Sequence, residues 1–487
     1  MSSTQVTLYR AIPHLGMNDV KTAHHKRAFK SRSWSWLLKN AVLPLGDLAF
    51  GQRMMRRFRF LEQAQWWDVE RLRAYRDRSL SSLIDVAYRD VPFYRDLMIK
   101  HSVRPTDVRR KDDLFKLPVI TKEMLRAGYP HLTTRLTGKK TYDVATSGST
   151  GTNFFVKEDS ETTGWHRASF LLALQWADWD FGEPHVQTGM APSRSLEKRL
   201  KDRLLRCYYV SAFDLSDSQL DQTLSLLDTR RIQYLMGYPG SLYYLARRAE
   251  EHGYNSPLRS VVTWGDNLYP HYRQLIEKSF KARVFDTYGC AEGMQISAQC
   301  GRGNTYHIHN LDVVVEFLDD EGNPVRQGQC GNIVLTRLHS GPMPLVRYRV
   351  GDVGVAGNGR RCDCGRGYEI MESIQGRDTD VVITPNGNRL IVHFFTGILE
   401  HFSEIEAFQV VQESIDNILL LIVPTKQFSG ETTKKIVSAL QEKGATGLGI
   451  SVQLVNEIPL TAGGKRRFVI SKATIRHQQF DSVVERA

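Results

Sequence analysis

The chain has 487 residues, 41% hydrophobic and 24% charged, with a net charge of +12. That is ordinary globular composition, at a length that divides into two to four domains. No run approaches the roughly 20 apolar residues of a bilayer-spanning helix, and the N-terminus lacks a secretory pattern, so a cytoplasmic location is expected.

The positive charge is concentrated early, in Lys21, Lys26, Arg27, Lys30, Arg32 and Lys39, then Arg53, Arg56, Arg57 and Arg59. Trp34, Trp36, Trp66 and Trp67 are interleaved with them. Basic residues with aromatics suit an anionic surface, whether membrane or nucleic acid. Charge runs more often mark solvated helix faces, and we read residues 1–80 as a basic, helical extension with its tryptophans packed beneath. Peripheral membrane contact is kept as an alternative. No nucleic-acid recognition motif accompanies the charge, so a nucleic-acid partner is not expected.

From Trp67 to Met98, Leu72, Tyr75, Leu80, Leu83, Ile84 and Ala87 recur at helical spacing, interrupted at Pro92. Thr121 is placed to cap a helix starting at Lys122. Strands are expected at Tyr234–Pro239, Ser260–Gly265 and Arg283–Gly289, with helices at Ser241–Glu250 and Pro270–Phe280 between them. Strand and helix in alternation predict an α/β core with parallel pairing. Val313–Leu318, the turn Asp319–Pro324 and Gly331–Thr336 predict an antiparallel β subdomain. Beyond Gly376 a small unit follows: strand Val381–Ile383, helix Phe394–Phe402, strands at Phe408–Gln412 and Ile418–Val423, and helix Thr432–Lys443. The expected fold is therefore α/β, with a large domain at 81–376 and a small, mobile α+β domain at 377–487.

Ser147-Gly148-Ser149-Thr150-Gly151-Thr152 is rich in hydroxyls and glycine. Glycines let backbone N–H groups turn toward an anion, and hydroxyls add donors. No Gly-Lys-Ser/Thr ending follows, so this is not a Walker loop. Alone it reads equally as a surface turn. In order after it come Tyr288-Gly289-Cys290-Ala291-Glu292, Arg347-Tyr348-Arg349-Val350-Gly351-Asp352, Gly376-Arg377-Asp378-Thr379-Asp380 and Pro459 to Lys465. This ordered set resembles the adenylate-forming superfamily of acyl-CoA synthetases, adenylation domains and luciferases. Val91-Pro92-Phe93-Tyr94-Arg95 and Leu117-Pro118-Val119-Ile120-Thr121-Lys122 are similar to its phenylacetate–CoA ligase and CapK-like branch. The resemblance covers residues 80–470.

The resemblance implies roles. Ser147 to Thr152 would hold the phosphates of ATP, with Thr150 a hydroxyl donor. Tyr288 and Gly289 would lie at adenine, Gly265 and Asp266 beside the adenine and acyl pocket, and Glu292 would hold Mg2+. Asp352 would take the ribose hydroxyls with Arg377 nearby, and Lys465 would bridge carboxylate and α-phosphate. It also implies a small carboxylic acid substrate and coenzyme A as acceptor. The chemistry is sound, because attack of a carboxylate on a phosphate brings two anions together, and two cations offset that repulsion. Two positions depart from the pattern: Ala291 replaces a hydroxyl residue, and Thr379 replaces an aspartate in the hinge.

The six cysteines cluster toward the middle of the chain, as metal or catalytic cysteines do in a large intracellular protein. Cys362 and Cys364, with Cys300 and His307 upstream, satisfy a tetrahedral structural zinc, with His309 as a substitute ligand. A reduced Cys-x-Cys turn is the alternative. Rival readings of the whole chain are transfer to an amine or hydroxyl acceptor, and a non-catalytic zinc-containing scaffold.

Overall fold

This computed structural model describes residues 33–146, 154–189, 194–212, 215–339, 341–377, 382–385, 389–390, 392–399, 401–458 and 467–472. Capping chemistry sets the ends of its first helices. After α1 (Leu43–Phe50) and α2 (Met54–Ala64), the Asp68 carboxylate accepts from Arg71 N and opens α3 (Val69–Asp90). Proline cannot continue a helix but suits its first position, so Pro92 opens α4 (Pro92–Lys100). Thr121 caps α5 (Lys122–Gly128) as expected.

A hairpin of β1 (Thr141–Thr146) and β2 (Phe154–Asp159) pairs Thr146 with Phe154 and carries residues 147–153 between its strands. Asp159 caps α6 (Ser160–Trp176), accepting from Thr162 N at 2.8 Å. Strands and helices then alternate: β3 (His185–Gly189), α7 (Leu196–Leu205), β4 (Cys207–Ser211), α8 (Asp217–Thr229), β5 (Tyr234–Gly237), α9 (Pro239–Glu251), β6 (Ser260–Thr263), α10 (Pro270–Phe280) and β7 (Arg283–Cys290). Helical crossovers make β4, β3, β5, β6 and β7 mutually parallel. Antiparallel strands follow: β8 (Met294–Gln299), β9 (Tyr306–Ile308), β10 (Val313–Leu318), β11 (Cys330–Arg337), β12 (Tyr348–Ala356) and β13 (Ile370–Arg377), with β13 closing back on β9. The antiparallel strands join the parallel ones through β7 and β8. The result is one eleven-stranded sheet, in the order β10-β11-β12-β13-β9-β8-β7-β6-β5-β3-β4.

Toward the C-terminus lie the short pair β14 (Val382–Ile383) and β15 (Arg389–Leu390), then α11 (Val392–Leu399). β16 (Ile405–Ser414), β17 (Asn417–Pro424), α12 (Gly430–Lys443), β18 (Gly449–Leu454) and β19 (Val469–Ser471) complete a separate four-stranded sheet. Its apolar side continues the cluster beneath α9 and α10, with the Phe468 ring 4.6 Å from Tyr269.

The basic N-terminal stretch divides by burial. Trp34 and Trp67 pack on the cluster that holds Leu38, Phe58 and Leu61 against Trp165 and Leu172 of α6. Trp36 and Trp66 are instead 65% and 55% exposed, so the expectation that all four tryptophans pack beneath the surface holds for only two. Arg366 covers the Trp66 ring at 4.9 Å, a cation–π contact that offsets some of this exposure. No helix among the described residues is long and apolar enough to cross a membrane.

Candidate active site

In open α/β sheets the carboxyl ends of parallel strands face a crevice where ligands bind. Among the described residues singled out in the sequence, Gly265, Asp266, Tyr288 and Gly289 lie at or near these ends. β6 runs into Trp264-Gly265-Asp266-Asn267, where Gly265 has φ +78° and a Cβ would lie 2.7 Å from the Tyr238 ring. Only glycine lets this turn fold against Tyr238. The Asp266 carboxylate accepts from Asn267 N at 2.9 Å, fixing the turn. Asn267 in turn lies against Gly376, at the end of β13.

Tyr288 is buried near the end of β7, and its hydroxyl donates to Asp352 Oδ2 at 2.7 Å. Burial first, and Asp352 second, push that phenol well above its ordinary range. Gly289 sits at a register shift between β7 and β8, where a Cβ would meet Met294 O at 2.8 Å. Asp352 lies within β12 directly opposite Arg377 in β13, so it is not a turn-capping residue.

Glu292 sits in the turn from β7 to β8 and is 2% exposed. Its Oε1 accepts from Tyr348 OH at 2.6 Å and lies 3.4 Å from Lys122 Nζ. Lys122 is delivered by the backbone: Ile120 N donates to Arg347 O at 2.8 Å, and Arg349 N to Ile120 O at 2.9 Å. The segment before α5 thereby docks along β12 beside Tyr348.

The whole turn hangs on Arg337. This guanidinium pairs with Glu158 at 2.8 Å, both side chains at most 5% exposed, and donates to Gly293 O at 2.6 Å and Glu292 O at 3.3 Å. Glu158 belongs to β2, so one arginine ties the hairpin flanking residues 147–153 to the turn bearing Glu292. Gly293, at φ +79°, leaves no room for a Cβ beside Glu158. Breaking a buried pair leaves an uncompensated charge, and Arg337→Met should destabilise the fold by about 3–5 kcal/mol in urea unfolding. A loss below ~1 kcal/mol would contradict this role.

Sequence reasoning assigned no role to Lys122, Arg337, Glu158 or Tyr348. Lys122 and Tyr348 stand inside motifs already quoted, whereas nothing in the pattern singles out Arg337 or Glu158. Ser147, Gly148, Ser149, Thr150, Gly151, Thr152, Asp378, Thr379, Asp380 and Lys465 lie outside the described residues. Cys290 is a poor nucleophile, because burial and then Glu292 push its thiol well above the ordinary value.

A second constellation lies where β8, β9 and the β12–β13 connection meet. One donor atom from each of Cys300, His307, Cys362 and Cys364 lies within 4.8 Å of all the others. Cys300 Sγ and Cys362 Sγ are 3.6 Å apart, close to the ~3.8 Å that two thiolates span across a tetrahedral zinc. His307 Nε2 is 3.3 Å from Cys364 Sγ. Burial holds this imidazole down to about 4, the neutral form that binds metal. His309, the substitute, does not join the group; it stacks on Trp176 at 5.2 Å. The cysteine loop also anchors the N-terminal helices, since Arg366 Nε donates to Gln65 Oε1 at 2.8 Å and Gly367 N to Gln65 O.

This fold has known relatives. A solved 2-hydroxyisobutyryl-CoA ligase in its postadenylation state superposes with a TM-score of 0.66 at 21% identity, over 82% of this chain and 90% of that one. The architecture is that of the adenylate-forming ligases. Residues 382–472 match the CapK C-terminal domain family. A phenylacetate-coenzyme A ligase of Thermus thermophilus is 24% identical over 437 residues, spanning 82% of this chain and 96% of its own length. Protein CapK of Staphylococcus aureus is 22% identical over 396 residues, or 78% and 84% of the two chains. The chain is thus similar along most of its length to phenylacetate-coenzyme A ligases and to CapK, with a match to the CapK C-terminal domain family over residues 382–472.

Proposed function

We propose that this protein is an AMP-forming acid–CoA ligase. It activates a small carboxylic acid with ATP to an acyl-adenylate and pyrophosphate, then passes the acyl group to coenzyme A. The observation that carries this reading is the buried Glu292 beside the Tyr288–Asp352 pair at the carboxyl ends of the parallel strands. The names of the relatives, phenylacetate-coenzyme A ligase among them, support the same chemistry.

Asp352 accepts from the ribose hydroxyls, and Tyr288 packs at the base. The 147–152 loop wraps the phosphates. The carboxylate of Glu292, already balanced by the Lys122 ammonium, fits a divalent cation, and Mg2+ held there would neutralise phosphate charge. Lys465 comes to the reacting carboxylate and α-phosphate, and the domain beyond Arg377 then turns to admit the acceptor. Glu292→Gln should lower the rate of adenylate formation roughly 10²-fold, read as pyrophosphate release, with a higher Mg2+ requirement. An unchanged rate would remove Glu292 from the site.

Tyr238 and Trp264, at the carboxyl ends of β5 and β6, support an aryl or other small acid. The Cys300, His307, Cys362 and Cys364 group holds a structural zinc, since four protein donors leave no open position. A second acceptor reading is transfer to an amine or hydroxyl acceptor in polysaccharide or secondary-metabolite biosynthesis. Pyrophosphate release with and without coenzyme A separates the two. Coenzyme A-dependent turnover and an acyl-CoA product support the ligase, whereas turnover indifferent to coenzyme A favours the other acceptor.

A further inference from the structure

Lys122 is a cation at the site to which no role has yet been given. Its side chain is 22% exposed, whereas the Glu292 side chain it faces is 3% exposed. The lysine side chain therefore reaches solvent where the carboxylate it faces does not. The 3.4 Å gap exceeds a normal N–H···O hydrogen bond, so attraction holds it there without a short bond locking it. Tyr348 OH already fills the short hydrogen-bond position on the same oxygen, at 2.6 Å. The docking of Ile120 on β12 fixes the lysine's root, leaving only its flexible stem to move. A lysine so placed has three donors and a short path to any anion entering over Glu292.

We infer that Lys122 is a phosphate-binding cation, parked on Glu292 while the site is empty and transferred to a phosphate oxygen of the bound nucleotide. The inference rests on the ATP-binding reading above. It gives the site a cation rooted in the large sheet, which stays when the segment carrying Lys465 turns away. A merely structural Lys122 would neutralise Glu292 and do nothing else.

Calorimetric titration of ATP into the full chain, without Mg2+, distinguishes these roles. The informative pair is Glu292→Gln against Lys122→Met/Glu292→Gln. Both lack the buried charge, so neither carries an uncompensated carboxylate, and Lys122 differs between them. The inference predicts at least tenfold weaker ATP binding in the double variant. Equal affinity in the two overturns it and leaves ATP binding by the chain intact. If the wild-type chain binds no ATP with or without Mg2+, the ligase reading fails and the inference falls with it.

Discussion

Replacing Lys465 with alanine should lower acid-dependent ATP–pyrophosphate exchange by roughly 10²–10³, the usual cost of deleting a group aimed at developing charge. Attack of a carboxylate on the α-phosphate joins two anions, and the charge grows at the pentavalent centre. In the proposed mechanism Asp352 and Tyr288 hold the ribose and base, distant from that centre, so they would not compensate. The second half-reaction has a different need. Attack of a thiol on an acyl-adenylate expels AMP and, in the proposed mechanism, follows the turning of the C-terminal segment. Thioester formation from a supplied acyl-adenylate should therefore stay near the wild-type rate in Lys465→Ala. Equal loss in both half-reactions would contradict the division of labour, and so would equal retention.

Removing the metal should be the largest structural perturbation. Purified chain is expected to contain one zinc, measured by elemental analysis, and Cys364→Ser to lose it. The four donors come from β9, the residue after β8, and the β12–β13 connection, which through Arg366 and Gly367 also holds Gln65 after α2. Without metal, thiols and a buried imidazole are left facing one another, and the loop loses its anchor. Loss of a structural metal is among the few changes that exceed 4 kcal/mol, and a drop of roughly 10 °C in melting temperature should follow. The active-site turn is held separately by Arg337, so residual exchange activity below the new melting temperature should be preserved. A metal-free, equally stable wild-type chain would return the group to a reduced cysteine turn.

What the sequence made legible follows from burial on one or both faces. β5 (Tyr-Leu-Met-Gly) and the Val261-Val262 and Val284-Phe285 pairs of β6 and β7 are short apolar stretches leading to glycine turns, because helices cover both sides of a parallel sheet. β8 went unread for the opposite reason. It is buried at all six positions yet reads Met-Gln-Ile-Ser-Ala-Gln, with Gln295 and Gln299 satisfied by Tyr288 O and Asn304 O instead of water. β3 was hidden similarly by the buried His185 and by Gln187, and β4, half-buried throughout, by Cys207 and Ser211. At the site, ordered motifs located Glu292, Tyr288 and Asp352. Arg337 stayed invisible because its partners lie 44, 45 and 179 residues away, and no local pattern records such contacts. His307 and His309 are equivalent in sequence; the end of β9 at Ile308, the turn that follows it and the stacking of His309 on Trp176 separate them.

The central claim is adenylation of a carboxylic acid. ATP–pyrophosphate exchange by the full, zinc-replete chain, run across a panel of aryl and short aliphatic acids with Lys465→Ala as control, tests it most directly. The account predicts exchange that requires Mg2+ and one class of acid, and that collapses in the Lys465 variant. No exchange with any acid in a folded, metal-loaded chain, or exchange that survives the loss of Lys465, would contradict it.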